Sequence, residues 1–168
     1  MATRTWTLYV VRHGVAEERG PEWPDDNRRP LTDRGRHELK QIGQGLVRLG
    51  IVIDVLLTSP LVRAKQTADA LASVLDPSPA VTVNDSLSPG AAHAALVHDL
   101  AKHARRSSIA LVGHEPGIGQ TAARLAGLRK ALEFKKGAVC RIDLEEFPPG
   151  TPGHLRWFAP PKLLRRLH

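Results

Sequence analysis

With 168 residues the chain has the length of one domain, 1–168, able to bury roughly 68–70% of the surface an unfolded chain of this size exposes. Its single cysteine, Cys140, excludes an internal disulfide, and a formal charge of +7 favours acidic partners. Much of that charge sits in the scattered doublets Arg28-Arg29, Arg105-Arg106, Lys135-Lys136 and Arg165-Arg166; with one tyrosine and three phenylalanines, a basic stripe with stacking platforms is missing and no nucleic-acid partner is expected.

The first apolar run, Leu8 to Val11, is too short for a signal-peptide core or a membrane span, so a cytoplasmic protein without a membrane partner is expected. The same run reads as a first strand that ends in Arg12-His13-Gly14. After a polar loop from Glu17 to Pro30, Thr32 is placed as the N-cap of a helix carrying Leu39, Ile42, Leu46 and Leu49 on one face, with Gly50 as its stop. Ile51 to Thr58 predicts a second strand. Arg63 to Val74 predicts a second helix with Ala64, Ala68, Leu71 and Leu75 on its buried side, closed by Asp76-Pro77-Ser78-Pro79.

Val81 to Val83 reads as a short third strand, and Ala92 to Ala104 as a helix with Leu96, Leu100 and His103 along it. A fourth strand is expected at Ser107 to Val112, and Ile118, Ala122 and Leu125 mark a further helix. Gly137 to Leu144 and His154 to Phe158 predict the last two strands, with Cys140 as a small buried hydrophobe. Strands alternating with helices predict an α/β fold, a three-layer α/β/α single domain whose mostly parallel sheet is covered on both faces.

Ligands of open α/β sheets bind at the carboxyl ends of the strands, and three strand ends here carry suggestive side chains. The first offers Arg12 and His13. The second breaks at Ser59-Pro60 and places Arg63 in the first turn of the next helix, and the fourth ends in Gly113-His114-Glu115-Pro116. A neutral imidazole can attack a phosphoryl group and hold it covalently, a task that suits His13. Arginine supplies planar, permanently charged forks for the phosphoryl oxygens, here Arg12 and Arg63, with His114 as a further donor. Such a site stabilises transferring charge by preorganised electrostatics, with no metal or other cofactor.

Three segments, in order, carry a resemblance: Val10-Val11-Arg12-His13-Gly14, then Thr58 to Ala68 (Thr-Ser-Pro-Leu-Val-Arg-Ala-Lys-Gln-Thr-Ala), then Val112-Gly113-His114-Glu115-Pro116. They resemble the motifs of the histidine phosphatase superfamily, the phosphoglycerate mutase-like proteins, and within it the small SixA-type phosphohistidine phosphatases. Arg29-Pro30-Leu31-Thr32 and Trp157 to Lys162 add to the likeness, which spans nearly the whole chain. It implies a phosphatase whose phosphorylated residue is His13, with Arg12, Arg63 and His114 binding the phosphoryl group. It also implies a substrate that is a phosphohistidine protein of a signalling phosphorelay.

One departure stands out. Ester-cleaving relatives carry a glutamate acid after the third strand, and Asp85-Ser86-Leu87-Ser88-Pro89-Gly90 offers none. Glu17, Glu18 and Asp25, in the loop after His13, are left as general-acid candidates. Val15 and Ala16 also replace polar residues of ester-cleaving relatives, which turns the reading away from a phosphosugar.

Other readings were weighed. A small-molecule or polyphosphate-related phosphomonoesterase suits the positive charge, whereas a non-catalytic phosphoryl-binding module is disfavoured by the intact quartet. Gly117-Ile118-Gly119-Gln120-Thr121-Ala122 fits a dinucleotide-binding turn formally but lies too late in the chain, and a close turn beside a phosphate is the simpler expectation. His93, His98 and His103 recur at steps of five, each turned about 140° from the last on a helix, so they are expected to point apart and hold no metal. His37, His154 and His168 read as surface residues.

Overall fold

A computed structural model of the chain describes residues 3–168. The strands are β1 (Trp6–Arg12), β2 (Val55–Thr58), β3 (Ala80–Val83), β4 (Ser108–Gly113), β5 (Val139–Leu144) and β6 (His154–Ala159). The helices are α1 (Asp33–Arg48), α2 (Val62–Ala72), α3 (His93–Leu100), α4 (Gly117–Leu125) and α5 (Pro161–Arg165). The six strands form one sheet in the order β3-β2-β4-β1-β5-β6, parallel throughout except where β5 runs against both of its neighbours.

Side chains alternate across a strand, and along β1 that alternation divides the core in two. Tyr9 and Val11 join Leu56, Ala110, Val112 and Val139 beneath α1, α2 and α5. Leu8 and Val10 join Leu57, Ile109, Leu111 and Cys140 beneath α3 and α4. The central strands β1, β2 and β4 are covered on both faces, which is why they read as continuous apolar runs. The result is the expected three-layer α/β/α architecture. Cys140 is fully buried in β5, and burial pushes its thiol up to about 12.

Helix α1 starts as expected, with the Thr32 hydroxyl accepting from the Gly35 amide at 2.8 Å. Leu39, Ile42 and Leu46 are buried on it, but Leu49 lies past its end and is 50% exposed, because the chain turns there through Gly50. The second strand is shorter than predicted. The Ile51 amide donates to the Leu46 carbonyl, so Ile51 to Asp54 run out of the helix end and pairing begins only at Val55. The helix predicted to Ala104 ends at Leu100 and tightens into a 3-10 turn over Ala101–His103, leaving His103 half-buried. The short helix α5 and two further 3-10 turns, Asp26–Arg28 and Asp85–Leu87, lie where no element was predicted. Among the described residues no helix is long and apolar enough to cross a membrane.

Candidate active site

The register of the central strands builds the site. Arg12 at the end of β1 pairs with Gly113 at the end of β4, so the next residues, His13 and His114, emerge side by side. The His13 amide donates to the Gly113 carbonyl at 3.1 Å, and the two imidazole centroids are 5.1 Å apart. On the other side of β4, Thr58 pairs with Val112, and Ser59 continues the ladder through its amide to the Val112 carbonyl. The chain then enters α2, whose first turn carries Arg63.

Hydrogen bonds hold both rings in place, and in His13 they also fix which nitrogen is free. His13 Nδ1 lies 2.8 Å from the Gly14 carbonyl, which can only accept, so Nδ1 holds the hydrogen and Nε2 holds the lone pair. The Gly14 amide in turn donates to the Thr67 hydroxyl at 3.0 Å, and that hydroxyl donates to the Arg63 carbonyl, tying the His13 loop to α2. His114 Nε2 sits 2.8 Å from Ser59 Oγ, which also accepts from the Leu61 amide. The Ser59 hydroxyl, with one hydrogen to give and two lone pairs, thus ties His114 Nε2 to the Leu61 amide.

Both histidines are neutral. Burial lowers the His13 pKa to about 3; the Gly14 bond opposes this, while the charges of His114, Arg63 and Arg12 add to it. Burial, followed by the charge of Arg63, lowers His114 to about 4. The arginines are braced by acceptors around them. Arg12 Nη1 donates to the Phe134 carbonyl at 2.7 Å. Arg63 donates to the Asp26 carbonyl at 2.8 Å and to its carboxylate at 3.1 Å. Asp26 also accepts from the buried Arg29 at 2.8 Å, and Arg29 reaches the Glu17 carbonyl at 2.7 Å.

What these braces leave over is informative. Among the described residues four buried side-chain nitrogens have no partner, and three belong to this site: Arg12 Nε, Arg63 Nε and His114 Nδ1. A buried polar atom left unpaired costs roughly 1–3 kcal/mol, so three in neighbouring side chains set this place apart. Their residues line a cavity of about 500 Å³, together with Arg29, Lys136 and the acidic residues Glu17, Glu18, Asp26 and Glu115.

The structure thus brings Arg12, His13, Arg63 and His114 together around one cavity. Of the expected acids, Glu17 and Glu18 lie exposed at its lip. Asp25 does not belong to it. Its carboxylate caps the 3-10 turn by accepting from the Asn27 amide at 3.0 Å, and it borders a separate depression with Trp23 and Arg28. The neighbour Asp26 takes the inward position, because the turn points successive residues in different directions. In the 117–122 segment Gly119 serves packing, since a Cβ there would lie 1.9 Å from the Leu132 carbonyl oxygen, whereas a Cβ on Gly117 would meet nothing within 4 Å. Ser59, Thr67, Asp26, Arg29 and Glu115 were missed as members of the site. Ser59, Thr67, Arg29 and Glu115 stood within the segments that carry the resemblance, and Asp26 alone carried no sequence signal. Among the described residues no three histidine, cysteine or carboxylate side chains converge as a metal site.

Comparison with known proteins places this geometry. The sequence model of the histidine phosphatase superfamily (branch 1) matches residues 8–88, which include Arg12, His13 and Arg63. An uncharacterized protein of Picosynechococcus sp. is 38% identical over 169 residues, covering 91% of this chain and 99% of its own. The chain belongs to the histidine phosphatase superfamily. This histidine phosphatase is also similar to the phosphohistidine phosphatase SixA of Escherichia coli, at 26% identity over 86% of this chain and 89% of that protein. Its fold matches the solved structure of the protein histidine phosphatase SixA complexed with tungstate, with a TM-score of 0.83, 24% identity, and coverage of 94% of this chain and 99% of that one.

Proposed function

We propose that this histidine phosphatase removes the phosphoryl group from phosphohistidine in a protein, through a phosphoryl intermediate on His13 Nε2. The observation that carries the reading is the pinned tautomer of His13: with Nδ1 donating to Gly14, the only lone pair belongs to Nε2, and a pKa near 3 keeps it free at neutral pH. Arg12 and Arg63, which line the cavity, then neutralise the phosphoryl oxygens with planar charged forks, and His114 stands beside them as a further polar contact. Transfer to Nε2 frees the histidine of the partner, and attack by water releases phosphate and restores His13. The tungstate bound to the SixA relative, a tetrahedral oxyanion, supports a phosphoryl site of this kind.

These residues already provide the charge that a metal would otherwise bring, so catalysis proceeds without one in this reading, and residues 1–168 work as one catalytic domain in the cytoplasm. A small-molecule phosphomonoesterase is the second reading. It is favoured by Arg29 and Lys136, which extend the cavity's positive charge and suit a second anionic group. A substrate panel decides between them. Phosphohistidine protein and phosphoramidate are expected to give higher kcat/KM than serine phosphate, whereas equal or better values on alkyl or multiply anionic phosphates would make the chain a general phosphomonoesterase.

A further inference from the structure

Beside the phosphoryl cavity lies a second hollow, and Pro89, His114 and Glu115 line both. This groove, of about 200 Å³, runs between the segment after β3 and the start of α4, with Leu87, Ser88, Ile118, Gln120 and Thr121 among its walls. Apart from His114 and Glu115 it presents no ionisable side chain, in contrast to the arginine-rich cavity beside it. A phosphoryl group therefore belongs in one hollow, and a small neutral group attached to it fits the other.

We propose that this groove receives an imidazole leaving group and that Glu115 holds the proton on the far nitrogen of that ring. The inference rests on the phosphohistidine reading above and deepens it. For an alkyl phosphate the departing atom itself needs a proton, and the segment Asp85 to Gly90 places no glutamate there. For phosphohistidine the ring leaves as neutral imidazole only if its other nitrogen carries a hydrogen, so the useful carboxyl lies across the ring and away from the scissile bond. Glu115, at the junction of the two hollows, is placed for that.

Its surroundings suit the task. The Gly119 amide of α4 donates to Glu115 Oε1 at 2.9 Å and fixes the side chain. Burial raises the carboxyl pKa; the Gly119 bond, the charge of Arg12 from β1 and the Phe134 backbone oppose this, and Glu133 supports it. His114, its neighbour in sequence, is neutral. In the transfer step the substrate P–N bond breaks while a bond from phosphorus to His13 Nε2 forms. The far nitrogen of the ring takes its proton from solvent, the Glu115 carboxylate accepts the hydrogen bond from that N–H and favours the protonated ring, and the ring leaves as neutral imidazole. When water then displaces His13 from phosphorus, one of its protons stays on the phosphate and the other passes to solvent.

Glu115→Gln tests this, because the amide oxygen still accepts from Gly119 while the charge that favours the protonated ring is gone. With phosphohistidine at alkaline pH, where the ring keeps its proton only through the carboxylate, kcat/KM is expected to fall about 10²-fold. The loss should shrink as the pH is lowered, and phosphoramidate, which has no ring, should change by only a small factor. Gln120→Trp, which fills the groove from an exposed position, should likewise slow phosphohistidine and spare phosphoramidate. Equal losses on both substrates, or none on phosphohistidine, would overturn the assignment. Alkali-quenched phosphoramidate turnover in the unmodified protein separates the two levels: label on His13 with no Glu115 effect sinks only this inference, and absence of label sinks the underlying reading with it.

Discussion

Two of the places where arginines meet a carboxylate lie at opposite ends of the sheet. At the start of β1, Asp143 of β5 accepts from Arg141 at 2.9 Å, from Arg156 at 2.8 Å and from the Thr7 hydroxyl at 3.1 Å. Burial works to raise the Asp143 pKa, and the bonds from Arg141 and Arg156 outweigh it and hold it low. None of the unpartnered buried nitrogens among the described residues lies there. At the other end Asp26 accepts from Arg63 and Arg29, yet Arg12 Nε, Arg63 Nε and His114 Nδ1 remain without partners, in residues that line an open cavity. Similar ingredients thus make a closed network in one place and, in the reading proposed above, an anion site in the other, and the difference is in what is left unsatisfied.

The comparison breaks most sharply at His13. His13→Ala is expected to lower steady-state turnover by more than about 10³-fold while leaving folding intact, as the loss of a nucleophile does. Retained turnover, measured with the best substrate of the panel, would remove His13 from the reaction. Arg63→Lys should cost about 1.5–3 kcal/mol in kcat/KM, because a point charge replaces a planar fork. Kinetics unchanged by that substitution would place Arg63 outside the phosphoryl site.

A smaller effect follows from the two buried histidines. In the folded chain they protonate only near pH 3 and 4, whereas in the unfolded chain they do so near 6.5. As the pH falls below about 6.5 the unfolded state binds more protons, so stability should drop by up to about 1.4 kcal/mol per pH unit for each histidine. A bound phosphate or tungstate dianion favours the protonated rings, so it should flatten this fall, as denaturant titrations with and without the oxyanion would measure. The smallest effect is expected at the closed network. Asp143→Ala should lower stability by about 1 kcal/mol, since its arginines are partly exposed, and leave kcat/KM unchanged.

Much of this contrast was legible from sequence at the strand ends and little of it elsewhere. Arg12 with His13, and His114, follow directly on apolar runs that had to be central strands, so their convergence at one sheet edge followed from the fold class. The pairing of Arg12 with Gly113, which sets the two rings side by side, is a register that no local pattern encodes. Asp25 and Asp26 differ in role through the phase of a three-residue turn, too short to leave a periodicity. Ile51 to Asp54 look like a strand because Ile51 and Ile53 alternate, yet both are buried under the end of α1 before pairing begins. Glu115 stood within a quoted motif, but its position between two cavities comes from the packing of α4 against the loop before β5.

The central claim is that phosphoryl transfer passes through one nitrogen of one histidine. Turnover of labelled phosphoramidate, quenched in alkali to preserve phosphohistidine and read by peptide mapping with phosphorus–nitrogen NMR, tests it most directly. The account predicts a phosphoryl group on His13 at Nε2, since Nδ1 is committed to the Gly14 carbonyl. Label on Nδ1 of His13, on another residue, or on no residue at all would contradict it.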